Sequence, residues 1–431
     1  MATTEQQEKL SIETRAVHAG NEPDPTTGAR VGPIYQTTSY VFNDSQDAAD
    51  LFALKKVGFI YSRLTNPTVA ALEARIADLE GGVASTCTSS GHAAQLLALF
   101  TVMQPGDNVV ASDKLYGGTI NQFANSFPRG FGWHSKFVAA NDIDAYKGAV
   151  DEKTKAIFIE SLANPGGVVL DIEAIAKVAE DAHVPLIVDN TMATPYLCRP
   201  IEHGADLVCH STTKFLSGHG NSIGGALVDS GKFDWSKDGK FPALTEPDPG
   251  YHGLKFHETF GELAFTFYNH AVGLRDLGPN QQPMNAFLTL TGIETLHLRM
   301  ERHAENARKV AEFLEGHDKV SWVNYAGLPS SEYNQLAKKY LPKGAGAVFT
   351  FGLKGGFDAG KKLVENVKLF SHLANIGDVR SLIIHPASTT HSQLTGEQLE
   401  SAGAAPDVVR VSIGIENADD IIADLDQALN A

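Results

Sequence analysis

Lys214 lies in the run CHSTTKFLSGHGNSIGG, downstream of Asp189 in PLIVDNTMATPY. A lone lysine among small hydroxyl residues and glycines suits an amine that must form a Schiff base rather than a solvated charge. Leu186, Ile187 and Val188 form an apolar run that reads as a buried parallel strand, so the Asp189 carboxylate emerges at its C-terminal end. Open α/β sheets bind their ligands at that end. A Schiff-base lysine and a carboxylate able to pair with a protonated pyridine nitrogen are the two protein groups that pyridoxal phosphate needs most. Either residue alone says little, since lysines after strands are mostly surface groups and strand-end aspartates often cap helices. The pair is what points to the cofactor.

A phosphate needs donors. In SSGHAA, Ser89, Ser90, Gly91 and His92 form a turn entering a helix, so backbone N–H groups and the helix dipole converge on one point. Ser211 and Thr213 flank Lys214 and add hydroxyls, and Arg63, beside Tyr61 in YSRLTNPT, can add a bidentate contact. The net charge of −16 at pH 7 leaves no broad basic field, so local donors must hold any phosphate. The same charge argues against nucleic-acid or anionic-membrane partners. His210, His219, His252, His257 and His270 invite a metal reading, but none has the spacing of a metal motif, and no metal is expected. Cys87, Cys198 and Cys209 show no C-x-x-C spacing, and the latter two, beside strand-like runs, read as buried free thiols.

These residues need a scaffold. A chain of 431 residues is too long for one ordinary core. Residues 1–65 lack periodicity and read as an N-terminal arm lying elsewhere on the molecule or on a neighbouring subunit. From Pro67, Val69, Leu72, Ile76 and Leu79 fall on one helical face that Gly81-Gly82 terminates. Strand-like runs follow at Asn108–Ala111, Ala156–Glu160, Pro185–Asp189, Asp206–His210 and Gly225–Asp229, with helical stretches such as Ile172–Ala182 between several of them. That alternation predicts an α/β fold, a mostly parallel sheet wound with helices, over 66–280. One long amphipathic helix is expected near Asn285–Gly316. A smaller α+β domain over 281–431 would carry strands at Ala347–Phe351, Ser381–His385 and Val408–Ile415, and a last helix capped by Asn417. The polar N-terminus, MATTEQQEKLSIETR, and the lack of an apolar run long enough for a bilayer predict a cytoplasmic protein.

In order, YSRLTNPT, SSGHAAQ, DKLYGGT, ESLANPGG, PLIVDNT, HSTTKFLSGHGN and VVRVSIGIE resemble the motifs of the cysteine/methionine-metabolism family of fold-type I pyridoxal phosphate enzymes. The resemblance runs from about Ile12 to the C-terminus. It implies that Lys214 is the Schiff-base lysine, Asp189 the pyridinium partner and Tyr116 the ring-stacking tyrosine. It further implies that Ser90, Gly91, His92, Ser211 and Thr213 bind phosphate, and that Tyr61 and Arg63 reach it from a neighbouring subunit. Asn164 matches the asparagine near the cofactor's 3-oxygen, and Arg410 the arginine that grips a substrate carboxylate. Strand alternation sets Arg410 opposite Val409 and Val411. His92 stands where many relatives have methionine, and Asn375, in LANIGD, where they have serine. With the extra segment 230–261, expected to help wall the site's entrance, Asn375 is similar to the branch acting on O-acetyl-L-homoserine. The implied reaction is γ-replacement of acetate by sulfide in a homotetramer with shared sites, Tyr61 and Asn375 also touching substrate. The same scaffold supports cystathionine γ-synthesis or γ-elimination.

Overall fold

Among residues 10–163, 167–390, 392–393, 396, 399 and 403–431, which the computed structural model describes, the first helix is α1 (Ile12–His18). It packs on α2 (Pro67–Glu80), with Arg15 Nε 2.8 Å from Asp78 Oδ2. The start of the arm therefore lies on its own chain. Sequence sets both ends of α2: Asn66 accepts from the Thr68 amide at 3.0 Å, Pro67 fills the first turn, and Gly81 leaves at φ 79°. Val69, Leu72, Ile76 and Leu79 are buried, as their spacing predicts.

Then come β1 (Ala84–Thr88), α3 (Gly91–Val102), β2 (Asn108–Ser112), β3 (His134–Val138) and β4 (Thr154–Glu160). Helix α4 (Ile172–Ala182) leads into β5 (Leu186–Asp189), and β6 (Leu207–His210) and β7 (Gly225–Asp229) follow. They form one sheet in the order β1-β7-β6-β5-β4-β2-β3. The sheet is mostly parallel, as expected: strands β2 to β6 pair in parallel, and β7 is antiparallel to both its neighbours. The reason is the connection. The Lys214 loop leaves β6 and re-enters the sheet at the same end, without the crossover that a parallel strand needs. Ile157, Ile159, Leu186 and Val188 join one core cluster, and Phe158, Ile187, Leu207 and Cys209 the other. Burial on both faces explains the unbroken apolar runs.

The expected single helix near 285–316 is two helices, α5 (Pro283–Ile293) and α6 (Leu296–Glu315). Buried Arg299 donates to Gly292 O at 2.6 Å and to Phe215 O at 2.7 Å, satisfying a carbonyl at the end of α5 while holding the Lys214 loop against the break. Helix α5 packs on α2, and α6 packs on the second sheet. That sheet contains β8 (Val320–Asn324), β9 (Val348–Leu353), β10 (Ser371–His372), β11 (Leu382–Ile384) and β12 (Val408–Ser412), in the order β8-β9-β12-β11-β10. The last helix, α7 (Ala418–Leu429), is capped by Asn417, whose side chain accepts from Asp419 N at 2.8 Å.

Segment 230–261 adds no residue to the lining of the Lys214 cavity in this chain. It is no solvated loop either. Trp235, Phe241, Leu244 and Phe256 are buried, and Trp235 stacks on Phe265 at 5.1 Å, so aromatic burial fixes the segment on the large domain. No helix among the described residues is long and apolar enough to cross a membrane. Cys87, Cys198 and Cys209 are buried free thiols.

Candidate active site

The C-terminal ends of β1, β4, β5 and β6 open on one cavity, whose lining includes Gly91, Tyr116, Asp189, Ser211, Lys214 and Arg410. Each arrives there for a local reason. Asp189 ends β5, and its Oδ1 accepts from the Thr191 amide at 2.9 Å while Oδ2 accepts from Gln95 Nε2 at 3.1 Å. Donors on both oxygens fix the carboxylate's orientation. Ser90 caps α3 by accepting from Ala93 N at 3.2 Å. Gly91 must be glycine, because a Cβ there would lie 2.8 Å from Ser211 Cβ. The N-terminus of α3 and the loop after β6 therefore meet as a cup of backbone donors.

Lys214 Nζ donates to Asn375 Oδ1 at 2.5 Å. Burial lowers the amine's pKa to about 8, and the nearby Arg410 guanidinium adds to the shift. Gly377 makes this contact possible. It sits at φ 75°, and a Cβ there would stand 2.8 Å from Phe215 N and 3.1 Å from Lys214 Cβ. Arg410, on β12, has Nη2 3.4 Å from Asn375 O, so strand, turn and lysine form one unit. Tyr116 is half-exposed beside His92, with ring centroids 5.8 Å apart. Its amide donates to Glu160 Oε1 at 2.6 Å. Burial pushes the His92 imidazole below its usual pKa, and its Nε2 is buried without a partner among the described residues.

The structure brings together Ser90, Gly91, His92, Tyr116, Asp189, Ser211, Thr213, Lys214, Asn375 and Arg410. Thr213 Oγ1 donates to Gly224 O at 3.2 Å, so its hydroxyl already closes the loop. Asn164 lies outside the described residues. Tyr61 and Arg63 do not reach this cavity within one chain. They line a separate cleft with Thr37, Thr38 and Asn280, where the Arg63 guanidinium sits 5.5 Å from the Tyr61 ring centre. Sequence reasoning missed Gln95, Thr191 and Glu160. Gln95 lies one helical turn after Gly91, on the same face. Glu160 pairs in register with Asp189, so the strand-end argument that found one carboxylate applied to the other.

The donor set fits pyridoxal phosphate: a cup of amides for its phosphate, an oriented carboxylate for its ring nitrogen, and an amine of lowered pKa for its carbonyl. Fold and site together define a fold-type I pyridoxal-phosphate-dependent enzyme. Residues 13–430 match the family described as Cys/Met metabolism PLP-dependent enzyme, and the chain belongs to that family. It is 53% identical to the O-acetyl-L-homoserine sulfhydrylase of Leptospira meyeri, over 97% of this chain and 96% of that protein. It is also 53% identical to the homocysteine synthase of Schizosaccharomyces pombe, over 98% of this chain and 99% of that one. A crystal structure from Campylobacter jejuni, described as an O-acetylhomoserine (thiol)-lyase, matches with a TM-score of 0.95 at 42% identity, covering 98% of this chain and 100% of its own. That structure carries a pyridoxyl-lysine monophosphate. The family, the fold class and the cofactor expected from sequence are borne out.

Proposed function

We propose that this enzyme replaces the acetate of O-acetyl-L-homoserine with sulfide, releasing L-homocysteine and acetate for methionine biosynthesis. The observation that carries the reading is Lys214, an amine of lowered pKa that shares one cavity with Asp189 and Arg410. Support also comes from relatives about half identical over nearly the whole chain and named for this activity.

Pyridoxal phosphate, when bound, supplies a carbonyl for amine exchange and an electron sink for the substrate's α-carbon. The chain's residues do the rest. Asp189 keeps a proton on the ring nitrogen. Ser90, Gly91, His92, Ser211 and Thr213 hold the phosphate, Tyr116 covers the ring, and Asn164 faces the 3-oxygen. Arg410 and Asn375 orient the substrate through its α-carboxylate. Lys214, freed by the substrate amine, takes the α-proton and then a β-proton, so that the β C–H electron pair is available to expel the γ-substituent. Acetate then leaves the γ-carbon and sulfide adds there, and Lys214 returns protons to the β- and α-carbons once the nucleophile has added.

Tyr61 and Arg63 belong to a neighbour's phosphate site in this reading, which makes the active unit at least a dimer and the assembly a cytoplasmic homotetramer. Support comes from the arm. Val31, Val41, Phe52 and Val57 are 63%, 99%, 61% and 77% exposed, an apolar run suited to burial against another subunit. The chain divides as an arm (1–65), a cofactor domain (66–280) and a C-terminal domain (281–431). Incubating the holoenzyme with O-acetyl-L-homoserine and sulfide tests the function. Equal amounts of homocysteine and acetate are expected. Release of ammonia and a keto acid in their place would overturn the replacement reaction.

A further inference from the structure

His270 sits outside the Lys214 cavity, in a π-helical stretch (Asn269–Leu277) of the kind that often marks functional positions. Both its ring nitrogens face acceptors. Nδ1 is 2.9 Å from Leu64 O, and Nε2 is 3.4 Å from Glu73 Oε1. Glu73, on α2, also accepts from the Cys87 amide of β1 at 2.8 Å. The Leu64 carbonyl can only accept, so the ring N–H stands on Nδ1, and Nε2 faces the Glu73 carboxyl. Burial raises the Glu73 carboxyl pKa, and His270 and the Cys87 amide offset part of that rise.

What His270 grips is the turn that carries Arg63. The amides of Leu64 and Thr65 both donate to Tyr61 O, at 2.9 and 3.2 Å, so residues 61–65 move as one turn. On the arm side, the Ser62 amide donates to Thr38 O at 2.8 Å and its hydroxyl to Thr37 O at 2.5 Å. On the large-domain side the turn is held by His270 at Leu64 O and by Asn66, whose Nδ2 donates to Ser62 Oγ at 3.0 Å. We infer that His270, backed by Glu73, is the positioning residue that aims the Tyr61–Arg63 turn outward at a neighbouring subunit's phosphate. The inference rests on the proposal that Tyr61 and Arg63 serve that site.

The test is the dissociation constant of pyridoxal phosphate for the apoenzyme, measured by fluorescence for wild type, Arg63→Ala, His270→Gln and His270→Asn, each with its oligomeric state. Asparagine keeps a donor near the Nδ1 position. Glutamine keeps one near Nε2 and loses the bond to Leu64 O. Arg63→Ala and His270→Gln should each weaken binding about tenfold, as loss of a charge-assisted contact or of its aim implies, with His270→Asn within about threefold of wild type. Wild-type affinity in His270→Gln, with Arg63→Ala weakened, overturns the inference alone. Equal weakening in both His270 variants also overturns it, since that is general packing. An unaffected Arg63→Ala overturns the shared-site reading itself. Should His270→Gln not assemble, hydrogen exchange at the Leu64 and Thr65 amides of the His270→Asn holoenzyme decides. Protection near wild type is expected, and its loss rejects the Nδ1 contact.

Discussion

The chemistry rests on an amine that must be a nucleophile at ordinary pH, and water alone would keep it protonated. Burial first, and Arg410 second, bring Lys214 down to about 8 from 10.5, so its neutral form grows as pH rises through about 8. Amine labelling of Lys214 in the apoenzyme should follow that midpoint. A midpoint near 10 would show that the cavity does not desolvate it. Arg410→Met should raise the midpoint by less than burial lowers it. Reducing the holoenzyme with borohydride should leave the pyridoxyl group on the Lys214 peptide, and its recovery on another lysine would reassign the site. Asp189→Asn should keep that adduct but slow turnover at least about a hundredfold, ~2.7 kcal/mol, because a neutral partner no longer holds the ring proton. Near-normal turnover would reject that role. Lys214 and Asp189 were legible because chemistry restricts their type and strand ends restrict their place, and Arg410 through the family resemblance together with the alternation of its strand. Gln95 and Thr191 were not. Their role is to hold Asp189, and no residue type announces that.

Elements place these groups through a few close approaches. Gly377 combines a left-handed backbone with contact against the Lys214 backbone, so Gly377→Ala should cost ~1–2 kcal/mol or more and displace Asn375. Its melting temperature and its Lys214 labelling midpoint should both shift. An unchanged midpoint would separate the turn from the amine. Asn417→Ala is the control, since it removes the cap of a distant helix, costing ~1 kcal/mol and leaving the midpoint alone. Strands β4, β5 and β6 were readable as apolar runs bounded by turns. The break between α5 and α6 was not, because Leu296, Met300, Ala304 and Ala307 continue an apolar stripe that fits one long helix. What interrupts it is Arg299, bonded to carbonyls of a loop far away in sequence, and periodicity carries no record of such a partner. The reversed direction of β7 escaped for a similar reason, since an apolar run has no orientation.

At the scale of the molecule, one chain carries the cavity while Tyr61 and Arg63 lie apart from it. At a pyridoxal phosphate concentration too low to load Arg63→Ala, mixing those subunits with inactive Lys214→Ala subunits should restore part of the activity, because one hybrid site regains both groups. No rescue in demonstrably mixed oligomers would contradict shared sites. Substrate choice belongs to this scale too. A cysteine nucleophile brings its own carboxylate and ammonium, whereas sulfide needs no charged partners. Among the described residues lining the cavity, the arginine is Arg410 and the lysine is Lys214, and the proposed mechanism occupies both. With a neighbour's Arg63 committed to the phosphate in the proposed shared site, cysteine's carboxylate would be left poorly paired. The direct measurement is the specificity constant for sulfide against that for cysteine, with O-acetyl-L-homoserine as common substrate. Sulfide should exceed cysteine by at least about tenfold, ~1.4 kcal/mol of transition-state difference. Equal or better use of cysteine, with cystathionine as product, would contradict the proposed function.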